Sequence, residues 1–354
     1  MPDRNVKLLS LVSFLNDMSS EMMFPLLPFF LTSIGASSLA IGLAGGIVEG
    51  ISGIMKVVSG YISDVKGKKK LVFAGYSLSQ LSKFGICLSS TPFSALFFML
   101  LERCGKGIRT APRDALIAES SRKNEKGRAF GFHRAMDSLG AVVGASLALF
   151  LFIHWDNVRK VLLAAAIVGF LSLFPILLVR ETGVKVKKPK LGLRMRRFAL
   201  LSLIFGAANL SYMFFLVNFR GIVASLSAYV LFTAIYALLS YPAGMVSDIV
   251  GKRVVASLGY SVMALACLSA LVYPALSLVL LGVFMAMTDA VQRSFVAEIA
   301  ENYGFGMGAF QLCFGISALI FNAIYGLLWS ASRELVFFTA ATFAILSSFV
   351  FMKV

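Results

Sequence analysis

The sequence predicts an all-α integral membrane protein, with twelve transmembrane helices in two pseudo-symmetric six-helix bundles. Three observations carry that prediction. Of 354 residues, 58% are apolar and only 14% charged, with 32 Phe, and the mean hydropathy is +0.86. Long, nearly charge-free runs recur along the whole chain, each able to cross a hydrocarbon core of about 30 Å, which takes about 20 helical residues. A strongly basic segment divides those runs into two sets of six, and the sets echo one another.

In order, the expected spans are 8–34, 39–62, 71–90, 93–118, 129–153 and 160–179, then 198–218, 223–246, 254–273, 275–299, 306–330 and 334–352. The first is too long for a signal-peptide core and has no small-residue cleavage site, so it is read as a retained helix. Polar breaks separate the spans. Those after the second, fourth, sixth and eighth hold Lys66 to Lys70, Arg122 to Arg128, a linker from Arg180 to Arg197, and Lys252 with Arg253. Those after the fifth, seventh and eleventh hold only Arg159, Lys160, Arg220 and Arg333. Cations accumulate on the cytoplasmic side of a membrane protein, so the rich breaks and both termini are assigned to the cytoplasm. The net charge of +16 is then a matter of topology and gives no support to nucleic-acid binding.

The linker RETGVKVKKPKLGLRMRR carries eight Lys or Arg and a single acid, Glu181. It separates an N-terminal bundle, 1–179, from a C-terminal one, 198–354, with 180–197 as a basic cytoplasmic connection. GYISDVKGKKK at Gly60 is echoed by GMVSDIVGKRV at Gly244. ALIAES at Ala115 is matched by SFVAEI at Ser294, and RAFG at Arg128 more weakly by GAFQ at Gly308. A parallel duplication of six helices accounts for all three pairs.

The two loops have the pattern G-x-x-x-D-x-x-G-[RK]-[RK], met by Gly60, Asp64, Gly67, Lys68 and Lys69 and again by Gly244, Asp248, Gly251, Lys252 and Arg253. On these residues, at equivalent places in a twelve-span chain, the sequence resembles the major facilitator superfamily along essentially its whole length. The resemblance implies a latch that joins the two halves on the cytoplasmic side. In it Asp64 would meet the start of the eleventh helix near Gly304 to Gly308, and Asp248 the start of the fifth near Gly127. Arg113, Asp114 and Glu119 fall at the same end and join this latch or gate.

Arg103 and Gly107 resemble a second signature, R-x-x-x-G-x-[GA], found in the fourth helix of proton-coupled exporters. Lys106 stands here where a Gln is usual and Arg109 where a small residue is usual. Gly140 and Gly144 match part of a third, G-x-x-x-G-P, with Ala145 in place of the proline. The resemblance therefore implies a secondary transporter working by alternating access.

Ionisable groups inside spans are costly and are functional candidates. At 100° per residue, Arg103, Lys106, Arg109 and Arg113 share one face of the fourth helix about 120° wide, with Glu102 inside it. Such a face points into the bundle. Acids at comparable depth are Asp17 and Glu21 in the first span, Glu49 in the second, seven residues before Lys56, and Asp137 in the fifth, three after Arg134. Asp17, Glu21, Arg103, Lys106, Arg109, Glu49 and Asp137 are thus the expected proton-coupling and central-cavity set. The second half is quieter. Asn209 and Tyr212, with Asp289 and Gln292, are expected to line the substrate path, and isolated Asn or Gln such as Asn322 to bridge helices by hydrogen bonds.

The expected function is a proton-coupled exporter, an antiporter for a small organic solute, driven by the proton gradient. Its expected partners are that solute, protons and membrane lipid, with no nucleic acid, as a monomer in the cytoplasmic membrane. An organic-anion or phosphate-ester carrier using the cationic face is the other transport reading, because Arg clamps such groups bidentately. A membrane enzyme finds no HExxH, GxSxG or metal-spaced Cys pair. The four cysteines, Cys87, Cys104, Cys267 and Cys313, are far apart. No cofactor or metal is expected. A transporter-like sensor is the remaining alternative.

Overall fold

The computed structural model describes residues 3–121, 126–181, 192–300 and 303–353, except for the side chains of 54, 57, 58, 60–66, 126–128, 290, 297 and 303–305. The first half contains α1 (Arg4–Met23), a 3₁₀ turn (Phe24–Leu26), α2 (Leu27–Ser33), α3 (Ser38–Lys66), α4 (Lys68–Leu88), α5 (Pro92–Glu119), α6 (Lys126–Trp155), α7 (Val158–Leu171) and α8 (Leu173–Leu177). The second contains α9 (Leu193–Ala208), α10 (Tyr212–Val217), α11 (Ile222–Val250), α12 (Lys252–Ser269), α13 (Pro274–Ile299), α14 (Tyr303–Ala331) and α15 (Arg333–Lys353). Among the described residues there is no strand.

Joined across short breaks at 24–26, 172 and 209–211, these helices form twelve rods at the places of the twelve expected spans. Eight are long and apolar enough to cross a membrane by length and composition: 68–88, 129–155, 158–177, 193–217, 222–250, 274–296, 306–331 and 333–353. Their outward faces carry large apolar side chains such as Leu81, Phe93, Leu238 and Ile249, all more than half exposed. Lipid is the solvent that suits them.

Several boundaries depart from expectation for local reasons. Pro25 cannot donate to the helical ladder, so the first rod tightens to 3₁₀ there. The turn expected over Lys66 to Lys70 shrinks to one residue, Gly67, at φ +88°. Gly251 does the same between α11 and α12 at φ +105°. A side chain is strained at that angle, so the two glycines of the repeated motif let one helix follow another almost directly. At the other end of the chain's central connection, α9 starts at Leu193, inside the segment expected to be linker.

The described chain divides into two compact units, Met1–Phe30 with Ile51–Lys188, and Leu31–Gly50 with Pro189–Val354. In the first, α1 packs on α6 and α7, and α4 on α5, α7 and α8. In the second, α9 packs on α14 and α15, and α12 on α13 and α15. Matching α1, α4, α5, α6 and α7 with α9, α12, α13, α14 and α15 makes the two pairing schemes the same. The duplication read from motifs is thus also a duplication of packing.

Residues 31–50 group with the second unit because α3 lies against α14 along glycines. A Cβ added at Gly42 would be 2.9 Å from the Cα of Gly326, and one at Gly46 2.8 Å from the Leu319 carbonyl oxygen. Small residues at four-residue spacing allow this backbone approach, the usual route to helix association in lipid. The core of this unit is aromatic. Phe198 has ring centroids at 5.0 Å from Phe295, 5.4 Å from Phe310 and 5.8 Å from Phe351, and Phe205 stacks on Tyr260 at 5.3 Å.

Candidate functional site: a polar seam and two paired turns

The interior of the first unit is instead polar. Because α4 and α5 run antiparallel and α1 lies beside them, their side chains meet as successive rungs. At the Asn5 end, Asn5 donates to Ser120 Oγ at 2.9 Å and to the Arg180 carbonyl at 3.1 Å. Next, Lys68 Nζ lies 2.6 and 2.9 Å from the two oxygens of Glu119. Glu181 accepts from the Lys68 and Lys69 backbone N–H groups at 3.1 and 2.9 Å. Gly67 has no side chain with which to cap α4, and Glu181 supplies that cap from a distant part of the chain.

Deeper, Arg113 donates to Ser13 Oγ at 2.9 Å and pairs with Asp114 at 2.9 Å. Ser13 also lies 3.4 Å from the Tyr76 hydroxyl and from His133 Nε2. His133 stands 3.7 Å from Asp137. Arg109 Nη1 donates to Ser79 Oγ, and its guanidinium lies 4.3 Å above the Tyr76 ring. On the next rung Gln80 donates to Asn16 Oδ1 at 2.9 Å, and Asn16 donates to Asp17 at 3.0 Å. One turn on, Lys83 Nζ donates to Ser19 Oγ at 2.8 Å and Ser20 Oγ at 3.0 Å. Finally, Arg103 Nε pairs with Glu102 at 3.1 Å, and its guanidinium lies 4.2 Å over the Phe24 ring.

The expected coupling residues therefore occupy this seam in unequal ways. Arg103 and Arg109 are buried, each 2% exposed, and Asp137 is buried as well. Asp17, Glu21 and Lys106 are half-buried. Among the described contacts, Arg103 is engaged by its own neighbour Glu102, and Asp17 by Asn16, so no ion pair joins the two. Asp137 faces His133 while Arg134 is exposed. Glu49 belongs to the second unit, where it accepts from Asn209 at 3.3 Å. The glycines of the fourth- and fifth-helix signatures sit at close approaches. Gly107 would put a Cβ 2.8 Å from the Ser52 carbonyl oxygen, Gly140 one 3.1 Å from Phe14 Cα, and Gly144 one 2.9 Å from Met18 Cα.

The latch residues fall into a repeated arrangement. Lys252 Nζ lies 3.1 Å from Glu298, the counterpart in the second unit of Lys68 with Glu119. Lys69 donates to the Leu177 carbonyl at 2.9 Å. Gly244 has open space around it, and Asp248 and Arg253 are exposed. The side chains of Asp64 and of the expected contacts at Gly127 and Gly304, and the surroundings of Gly60, lie outside the described residues.

In the second unit, Asp289 accepts from Tyr236 at 2.7 Å and pairs with Arg293 at 2.8 Å. Gln292 donates to the Tyr260 hydroxyl at 2.7 Å, and the Tyr212 ring lies 5.5 Å from that of Tyr229. The break between α9 and α10 is closed by Asn322. Its Oδ1 accepts from Ser211 N at 2.8 Å, and its Nδ2 donates to the Asn209 carbonyl at 3.0 Å.

Sequence reasoning passed over Lys83, His133, Gln80 and Asn16. Lys83 was findable, being the one Lys, Arg, Asp or Glu in the expected span 71–90. The hydroxyls and amides around it were not, since nothing local marks which Ser faces a neighbouring helix.

The Major Facilitator Superfamily model matches residues 9–230 and 218–354. The chain belongs to the major facilitator superfamily. It is a multi-pass membrane transporter of a small molecule and not an enzyme. Among superfamily relatives it is 37% identical to the uncharacterized MFS-type transporter MJ1317 of Methanocaldococcus jannaschii, over 97% of this chain and 93% of the relative. It is 29% identical to the multidrug resistance protein MdtH of Photorhabdus laumondii subsp. laumondii, over 41% of this chain and 38% of that protein. The fold is similar to the crystal structure of the nucleoside transporter NupG (D323A mutant), with a TM-score of 0.80, 14% identity and 99% of both chains covered. The superfamily fold expected from the paired motifs is the fold observed.

Proposed function

We propose that the chain is a proton-coupled exporter of a small organic solute, working by alternating access as a monomer in the cytoplasmic membrane, with both termini in the cytoplasm. The observation that carries this reading is the placement of ionisable groups. Asp17, Lys83, Glu102, Arg103, Arg109, His133 and Asp137 lie within the rods of the first unit, and the second unit has an aromatic core. Buried ionisable groups in spans are the material of proton relays. A carboxylate whose neighbour moves during the cycle changes its hold on a proton, and proton binding then favours one arrangement of the halves. Asp17 and Glu21, half-buried and one turn apart on α1, are placed for that role. The similarity to a multidrug resistance protein supports export. The three arginines of α5, Arg103, Arg109 and Arg113, are already engaged by Glu102, Ser79 and Asp114, which weighs against a carrier that uses them to clamp an anion.

The test is transport in proteoliposomes with and without an imposed pH gradient, over a panel of cationic, neutral and anionic compounds. The expected outcome is pH-driven movement of cationic or neutral compounds, abolished by the double substitution Asp17→Asn with Glu21→Gln. Undiminished pH-driven transport in that variant, or movement of anions only, rejects the reading.

A further inference from the structure

Lys83 is in an unusual position for an ammonium. It is 0% exposed, and among the described residues its Nζ hydrogen-bonds only to the hydroxyls of Ser19 and Ser20 on α1. Ser19 in turn donates to the Ala165 carbonyl at 2.6 Å, so its oxygen is left to accept from Lys83. Two acceptors satisfy the two N–H groups of a neutral amine, whereas an ammonium has three.

The four buried cations among the described residues differ in this respect. Lys68 has Glu119 and Arg103 has Glu102 as a salt-bridge partner. Among the described residues, Arg109 and Lys83 have no carboxylate in salt-bridge contact. The Tyr76 ring covers the guanidinium of Arg109, a kind of group that does not deprotonate in proteins. Of the two without a carboxylate, Lys83 is the one that can shed the charge that burial penalises, by giving up a proton and keeping the electron pair on Nζ.

The charged groups around Lys83 are Asp17 on α1 and Glu102, Arg103 and Arg109 on α5. From α7, Arg159 reaches away to the Ser89 carbonyl and the Phe30 ring. Lys83 lies one turn along α4 from Gln80, whose partner Asn16 holds Asp17. Glu102 Oε1 and one terminal nitrogen of Arg103 are buried without a hydrogen-bond partner among the described residues. Glu102, within electrostatic reach of Lys83, thus keeps one oxygen that Arg103 does not take up.

We propose that Lys83 is a proton-exchanging residue of the transport cycle, neutral while held by Ser19 and Ser20 and protonated when Glu102 turns to it. The proposal rests on the proton-coupled reading and adds to it a basic carrier on α4.

The experiment is ¹⁵N NMR of the reconstituted full chain labelled at the lysine Nζ, recorded across the pH range in which it stays folded. The Lys83 signal is assigned by its loss in Lys83→Met. The expected result is an amine signal that converts to ammonium as the pH falls. Replacing both Ser19 and Ser20 by Ala is expected to move the midpoint and identifies the signal even if Lys83→Met fails to fold. In transport, Lys83→Met and Lys83→Arg should lose pH-driven movement while keeping exchange down a solute gradient. An ammonium signal at every pH overturns the proposal, as does pH-driven transport that survives Lys83→Met. Absence of pH-driven transport in the unsubstituted protein overturns the coupling reading and the proposal's role in the cycle. That failure is told apart by a titrating Lys83 signal that persists.

Discussion

Lys68 Nζ lies 2.6 Å from Glu119, and the two side chains are only 5% and 16% exposed. The symmetric pair, Lys252 with Glu298, is 22% and 55% exposed at 3.1 Å. The duplication has kept the contact and changed its solvent. Breaking a buried pair strands a charge at a cost of about 3 kcal/mol or more, whereas an exposed pair contributes about 0–1 kcal/mol. Lys68→Met should therefore lower thermal stability clearly, and Lys252→Met hardly at all. A thiol-reactive dye that reports on the free cysteines as they become exposed can follow this unfolding. Equal effects in the two units would contradict the assignment.

The cap on α4 comes from Glu181. Because it accepts from two backbone N–H groups at a helix start, Glu181→Ala should cost about 1 kcal/mol, in the range of a lost N-cap. Glu181→Gln should cost less, since an amide oxygen still accepts. Hydrogen exchange at the amides of Lys68 and Lys69 measures the loss where it occurs, and unchanged exchange there would rule the cap out.

At the break between α9 and α10, Asn322→Leu removes the acceptor for Ser211 N–H and the donor to the Asn209 carbonyl. Each stranded buried group costs about 1–3 kcal/mol. Asn322→Asp keeps the acceptor but buries a carboxylate against the Asn209 and Ala318 carbonyls, so it should lose at least as much. The melting temperatures of the two variants against the unsubstituted protein check both losses.

Two glycines in this protein should respond in opposite ways to alanine. At Gly46 a Cβ would stand 2.8 Å from the Leu319 carbonyl oxygen, so Gly46→Ala should destabilise by about 1–3 kcal/mol through overpacking. At Gly244, inside α11, a Cβ meets nothing within 4 Å, so Gly244→Ala should be neutral or stabilise by up to about 1 kcal/mol. Parallel melts of the two variants check the sign.

The rods were legible because each depends on its own residues. A run such as ALSLVLLGVFMAM is apolar enough to enter lipid wherever its neighbours stand. The repeated turn was legible too, since Gly67 and Gly251 answer a local backbone demand. The breaks were less so. Pro25 marks the first, but the one at 209–211 has no proline and persists because Asn322, more than a hundred residues away, satisfies its backbone groups.

The candidate site was half legible. The helical wheel placed Arg103 and Arg109 on an inward face, and both are buried. It could not say that Glu102 would hold Arg103, that Ser79 and Tyr76 would hold Arg109, or that Lys83 would be left with two hydroxyls.

The sequence by itself determined that this chain lives in a membrane, that it consists of two related sets of helices, and which superfamily it belongs to. Hydropathy, charge placement and a duplicated glycine turn are properties of short segments, and they survive any arrangement of the rest. Only the tertiary structure decided which buried charge meets which partner. That depends on how far each helix is rotated about its axis and which helix lies beside it, and close contacts such as Gly46 on Leu319 and Gly144 on Met18 set both.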